Sequence, residues 1–351
     1  MDEEGIVWEV SRGGDLYLTV GTDAYVLVSS KVMSLGSPVF AAMLESNFIE
    51  GISNHQGEGP HAIHLPDDDG DAMVLLCKIF HLDTADLTCS RPNRHMIRSL
   101  VILCDKYDCV ATLRPWVALW YPLDDLTDDT TNLGEIMFIA FTLDLPKLFS
   151  LASWKVLLQQ NCPFELLEGY ASERDCIEPP ALLGCSSPSS RTLSFLHHLG
   201  ELEVRRLELH RQLLRTVEEP LQMMLVWGPC RKTKEYAYEY MQSLRDIGIW
   251  PRPSKEKHEI SLADALLRLR CFNDPVFQKT ADHVCDNCES MERFTRRKDK
   301  WNAQAIFFNI KKGICLDCVK TSRKSRFNGT CRESHDDGYL YSHTWEGDSY
   351  Y

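Results

Sequence analysis

Two cysteine hooks near the end of the chain carry the strongest chemical signal. Cys285-Asp286-Asn287-Cys288 and Cys315-Leu316-Asp317-Cys318 are CxxC pairs separated by 26 residues. A CxxC turn aims two thiolates at one point, and Zn2+ takes four such ligands in a tetrahedron. Cys285, Cys288, Cys315 and Cys318 are therefore the expected ligands of one structural zinc ion. Their separation exceeds the roughly 15–20 residues of compact ribbons, but the insert holds Trp301 and Ala305-Ile306-Phe307-Phe308, enough for a small strand or helix. A second set competes. Cys315, Cys318, Cys331 and His335 also have finger-like spacing and share one hook with the first set, so a single ion cannot take all six residues. A tail of about sixty residues has too little core to fold well alone, and an ion supplies what is missing. All-thiolate coordination leaves no open position, which favours structure over catalysis.

Other chemistry finds no support. The chain has no G-x-S-x-G elbow, H-E-x-x-H helix, P-loop or G-x-G-x-x-G turn, so no enzyme activity is expected. A RING-type ligase needs eight ligands, and the tail offers six. His197 and His198 read as surface residues, and Asp67-Asp68-Asp69 as a solvated turn before a helix N-terminus. The net charge of -13 argues against nucleic acid as the partner of the whole chain. Residues 291–326 nevertheless carry 11 Lys and Arg against 3 Asp and Glu. The runs Arg296-Arg297-Lys298 and Arg323-Lys324-Ser325-Arg326 either bind phosphates or form a solvated face. The acidic start Met1-Asp2-Glu3-Glu4 does not resemble a secretory signal, so spaced cysteines among the 14 read as metal ligands rather than disulfides. The longest apolar run, 136–145, is about half of a bilayer span. A soluble intracellular protein of the cytoplasm or nucleus, without a membrane partner, is expected.

The elements that must position these groups are legible in outline. Leu16, Leu18 and Val20 alternate with Tyr17 and Thr19, the period of a half-buried strand. Gly21-Thr22-Asp23 supplies a turn into a second strand over 25–28, and Ser37 caps a helix with Pro38 at its first position. A third strand is predicted over 62–65, with helices over 72–81, 96–107 and 110–121. Cys77 and Cys104 read as buried small hydrophobes. A helix pair follows over 133–141 and 145–160. The Pro- and Ser-rich run 178–190 is a loop, and a long amphipathic helix over 193–219 ends at Pro220, with Arg206 breaking its leucine repeat. Ser261-Leu262-Ala263-Asp264 opens a last helix with a capping box.

The first third resembles the BTB/POZ domain, in the form found in fungal BTB proteins. The resemblance is carried by Asp15, Val20-Gly21, Val28-Ser29-Ser30-Lys31, Ser37-Pro38-Val39-Phe40, Met43-Leu44, Ile63-Leu65-Pro66 and Cys104-Asp105-Lys106-Tyr107. It implies an α+β fold over residues 10–122, a small sheet capped by helices. A mainly helical region over 130–275 and a zinc-ribbon-like tail over 280–337 follow. It also implies a protein–protein interaction module, often a homodimer. Ile6, Val7 and Trp8, which precede the first strand, are candidates for an exposed patch. A substrate adaptor for a cullin ubiquitin ligase and a nucleic-acid-binding regulator using the basic tail are the alternatives.

Overall fold

The computed structural model describes residues 6–22, 24–45, 61–83, 91–123, 126, 130–159, 190–226, 230–250, 260–270, 272, 285–286, 288–289, 312–321, 331–332 and 339–340. The fold is mixed, mostly helical with a small sheet. Two compact units divide the chain. The first gathers Met1–Leu126, Phe138–Leu145 and Ala181–Leu193; the second gathers Thr127–Met137, Pro146–Pro180 and Ser194–Tyr351.

The first unit is built on four strands: β1 (Ile6–Glu9), β2 (Leu16–Val20), β3 (Ala24–Val28) and β4 (His61–Leu65), in the order β1-β3-β2-β4. β2 and β3 form the expected antiparallel hairpin. Gly21 turns it at φ +59°, a left-handed conformation that glycine adopts without strain. β1 joins β3, and β4 joins β2, both in parallel. The predicted alternation is present: Leu16, Leu18 and Val20 are buried, as are Val26, Val28, Ile63 and Leu65. The segment around Trp8 is itself a strand, so the sheet has one strand more than the sequence announced. Its side chains are exposed on both faces, which removes the periodicity by which a strand is recognised.

Five helices accompany this sheet: α1 (Ser30–Gly36), α2 (Pro38–Leu44), α3 (Gly70–Phe80), α4 (Arg94–Lys106) and α5 (Val110–Trp120); α3 packs against β3, α4 against α3, and α5 against α4. Their starts are tied down from a distance. The Ser30 amide and hydroxyl donate to the two Asp15 carboxylate oxygens at 2.7 and 2.6 Å. The Ser29 amide donates to His81 Nε2 at 3.0 Å, so Nδ1 carries the ring hydrogen and donates to the Cys77 carbonyl at 2.8 Å. Ser37 accepts from the Phe40 amide at 3.1 Å and donates to the Tyr107 carbonyl at 2.6 Å. Cys77 and Cys104 are buried as expected.

The aspartate turn is more than solvated. Asp69 caps α3 by accepting from the Ala72 amide at 2.9 Å, as a helix N-terminus favours. Asp68, by contrast, is buried and receives Lys106 Nζ at 2.6 Å and the Tyr107 hydroxyl. Burial first, then the hydrogen bond to Asp68, pushes the Tyr107 hydroxyl pKa far up, so the phenol remains a donor. Sequence reasoning missed this link because its partners lie 38 and 39 residues apart.

Asp15 supplies a pH test. Burial alone raises its carboxyl pKa, but the Ser30 hydroxyl and amide hydrogen bonds outweigh burial and hold it below the ordinary Asp value. Such a group contributes stability that is fully present above the unfolded value of about 3.9 and lost as pH falls through the lower folded value. Acid unfolding followed by circular dichroism is expected to contain a component below about pH 4 that Asp15→Asn removes. Coincident acid profiles for the two proteins would show that α1 does not depend on this carboxylate.

Beyond the first unit's helices, α6 (Thr130–Thr142) is buried at every position from 133 to 141, matching a sequence that is apolar there except at Glu135. In the second unit, α7 (Pro146–Gln159), α8 (Ser190–Val226) from Ser194 onward, α9 (Arg231–Asp246) and α10 (Leu262–Arg270) supply helices. α8 runs through Pro220 instead of ending there. An interior proline removes one helical hydrogen bond and costs about 3 kcal/mol. That cost is offset by packing on both sides of it: Val217 and Met224 share a core with Tyr236, Tyr240 and Leu244 of α9. Arg206, the break in the leucine repeat, is fully buried and holds Glu203 through two bonds of 2.9 and 2.6 Å. The Ser261 hydroxyl caps α10 by accepting from the Asp264 amide at 3.1 Å.

Two strands close the second unit, β5 (Lys312–Ile314) and β6 (Tyr339–Leu340), paired in parallel. The tail helix α11 (Leu316–Thr321) follows β5 and precedes β6 in the chain. β5 lies against α7, where the Ile314 amide donates to Ser153 Oγ at 3.0 Å. The loop expected over 178–190 falls outside the described residues except for Ser190, which begins α8.

Candidate metal centres

Each CxxC hook gathers a third cysteine of its own. Cys230, Cys285 and Cys288 form one group and Cys315, Cys318 and Cys331 another, with the sulfurs of each within 4.8 Å of one another. The two hooks do not join into the four-thiolate site expected from Cys285, Cys288, Cys315 and Cys318. The physical reason is local supply: a third sulfur stands beside each hook, brought there by helix packing in one case and by a side-chain clamp in the other.

The Cys315 group is assembled by β5 and α11. Cys315 lies between the two, and its carbonyl accepts from the Val319 amide at 3.1 Å. Cys318 is one turn along α11. Cys331 is delivered by its neighbour: the Arg332 amide donates to Asp317 Oδ2 at 2.8 Å, and its guanidinium reaches Asp317 Oδ1 at 2.6 and 3.0 Å. Cys318 Sγ then stands 3.6 Å from Cys331 Sγ. These are three of the four residues in the alternative set; the fourth, His335, lies outside the described residues.

The Cys230 group is assembled by a helix start and a turn. Cys230 is the residue before α9, and its side chain makes no capping bond. The Cys285 carbonyl accepts from the Cys288 amide at 3.0 Å and from the Glu289 amide at 3.2 Å, a tight turn that brings its two thiols together. Cys230 Sγ and Cys288 Sγ are 3.5 Å apart across a separation of 58 residues. The sequence held no signal for this pairing, since Cys230 stands alone with no partner at ligand spacing.

The donor sets suit a thiophilic cation. At a Zn–S distance of about 2.3 Å, tetrahedral geometry puts sulfurs about 3.8 Å apart. The pairs at 3.5 and 3.6 Å are near that value and far beyond the 2.05 Å or so of a disulfide; all six cysteines are free thiols. Crowding and burial favour the protonated thiol at Cys288 and Cys318. Burial, with the adjoining Cys230 and Cys285, pushes Cys288 up to about 12. The hydrogen bond with Cys315, then burial, pushes Cys318 much higher. Three thiolates donate strongly to a divalent ion and lower its Lewis acidity, which suits a structural role.

The basic runs 296–298 and 323–326 and the aromatic residues between the hooks lie outside the described residues. Among the described residues no helix is long and apolar enough to cross a membrane. No protein-family model matches this chain, and no curated protein matches it.

Proposed function

We propose that this chain is a non-enzymatic interaction protein that pairs with a second copy of itself through its first unit, a BTB/POZ-like domain. The observation that carries this reading is β1. It is the end strand of the sheet, and all four of its side chains are exposed. Ile6 is 63% exposed, Val7 62% and Trp8 37%. Neighbouring side chains on a strand point to opposite faces, so neither face of β1 is buried by its own unit. Its outer edge also has no strand partner among the described residues. Apolar side chains beside an open edge are the chemistry of strand addition from another chain. Lys78 Nζ stands over the Trp8 ring, 5.8 Å from its centre.

The expected result is a dimer whose mass by light scattering falls on dilution. Ile6→Asp with Val7→Lys is expected to give a monomer at every concentration with an unchanged thermal melt, because neither residue is part of the core. A wild-type monomer at high concentration would overturn the reading. In the second unit we propose zinc as the ion of the Cys315, Cys318 and Cys331 group, acting to hold β5, α11 and Cys331 together. The 3.6 Å sulfur separation and the Asp317–Arg332 clamp support it.

A further inference from the structure

We propose that Cys230, Cys285 and Cys288 form a second thiolate metal site, separate from the Cys315 group, that staples the start of α9 to the tail. The chain would then carry two thiophilic divalent cations. This does not rest on dimer formation; only the total ion count draws on the zinc assigned to the Cys315 group.

Four observations converge on it. The three sulfurs meet from two distant parts of the chain, with all separations within 4.8 Å. Cys230 occupies a capping position but makes no side-chain capping bond, so its thiol is not serving the helix. The Cys285–Cys288 turn is closed by its own backbone bonds and presents both thiols together. Val217, Met224, Tyr236, Tyr240, Leu244 and Ile249 pack around the group with Cys288. Such an apolar shell excludes water and strengthens coordination within it. Soft thiolates select zinc-class ions over magnesium and calcium. Three thiolates leave one tetrahedral position for a ligand from outside the triad.

The site does what a core of this size does not do alone. Cys288 is a buried member of the α8–α9 core, and Cys285 and Cys230 pack against it from its margin. An ion bound to all three converts a weak apolar contact into a cross-link between parts of the chain 58 residues apart, and metal binding then becomes folding energy. A bare cluster of hydrophobic thiols is the competing explanation, and it predicts no bound metal.

The test uses the full chain purified under reducing conditions, with zinc counted by elemental mass spectrometry. Two zinc ions per chain are expected for the wild type, one for Cys230→Ser, one for Cys331→Ser and none for the double variant. A Cys230→Ser variant that keeps the wild-type count overturns the proposal, whereas one wild-type ion that Cys230→Ser loses and Cys331→Ser keeps upholds this site and overturns the zinc assigned to the Cys315 group. A second measurement covers the case in which Cys230→Ser does not fold. In the wild type, Cys230 and Cys285 are partly accessible and should resist alkylation until a chelator is added, as read by peptide mass spectrometry. Equal labelling with and without chelator overturns the site, as does a Cys230–Cys288 disulfide in protein kept reduced.

Discussion

Phe40→Ala is expected to lower the stability of the first unit by about 3–5 kcal/mol. The ring is fully buried and is the only buried residue of α2. It stacks on Tyr107 with centroids 4.4 Å apart and planes 11° from parallel. Tyr107 in turn holds Asp68 through its hydroxyl and Ser37 through its carbonyl. Truncation therefore removes the transfer energy of a large side chain, leaves a cavity and releases the stacked ring that anchors the aspartate turn. Urea unfolding followed by circular dichroism would record the change as a lower midpoint. Phe40→Leu refills part of the cavity and should recover part of the loss. A loss under about 1 kcal/mol for the alanine variant would mean that the ring is not in the core.

Gly313→Ala is expected to detach β5 from α7. A Cβ at this position would run into the Ser150 carbonyl oxygen, Ser153 Oγ and the Trp154 amide nitrogen, all far inside van der Waals contact. Two of the three obstacles are backbone atoms of a helix, which no rotamer change can move. Overpacking costs about 1–3 kcal/mol where the surroundings can adjust and more where they cannot. The strand must back away, and the Ile314–Ser153 hydrogen bond goes with it. Hydrogen exchange over 312–321 should rise sharply while exchange in β2 and β3 stays unchanged. Because Cys315 follows β5 directly, zinc at the Cys315 group should also leave faster to a competing chelator. Unaltered exchange at Ile314 would refute the close approach.

What the sequence revealed, and what it hid, divides by distance along the chain. The β2–β3 hairpin, the Ser37-Pro38 start of α2 and the Ser261 cap were legible because each depends on residues within a few positions. Their chemistry is that of one turn or one strand. The hidden features are long-range. His81 holds Ser29 from 52 residues away, Ser153 holds Ile314 from 161, and Cys230 meets Cys288 across 58. The two hooks were recognised as ligand pairs, yet spacing alone could not say which third sulfur folding would bring to each. Pro220 misled for a related reason: its local preference to end a helix lost to burial on the Val217–Met224 face. The BTB/POZ-like reading rests on ordered local motifs and remains a proposal tested by the association measurement.

The parallel pairing of β2 with β4 has a consequence for biosynthesis. Leu16 must find His61, and Val20 must find Leu65, so one flank of the β2–β3 hairpin stays bare until the later strand has left the ribosome. Long-range strand pairing is slow because a large loop must close first. During that interval the nascent chain offers an uncovered ribbon edge, the kind of surface on which chaperones act and stalled translation products aggregate.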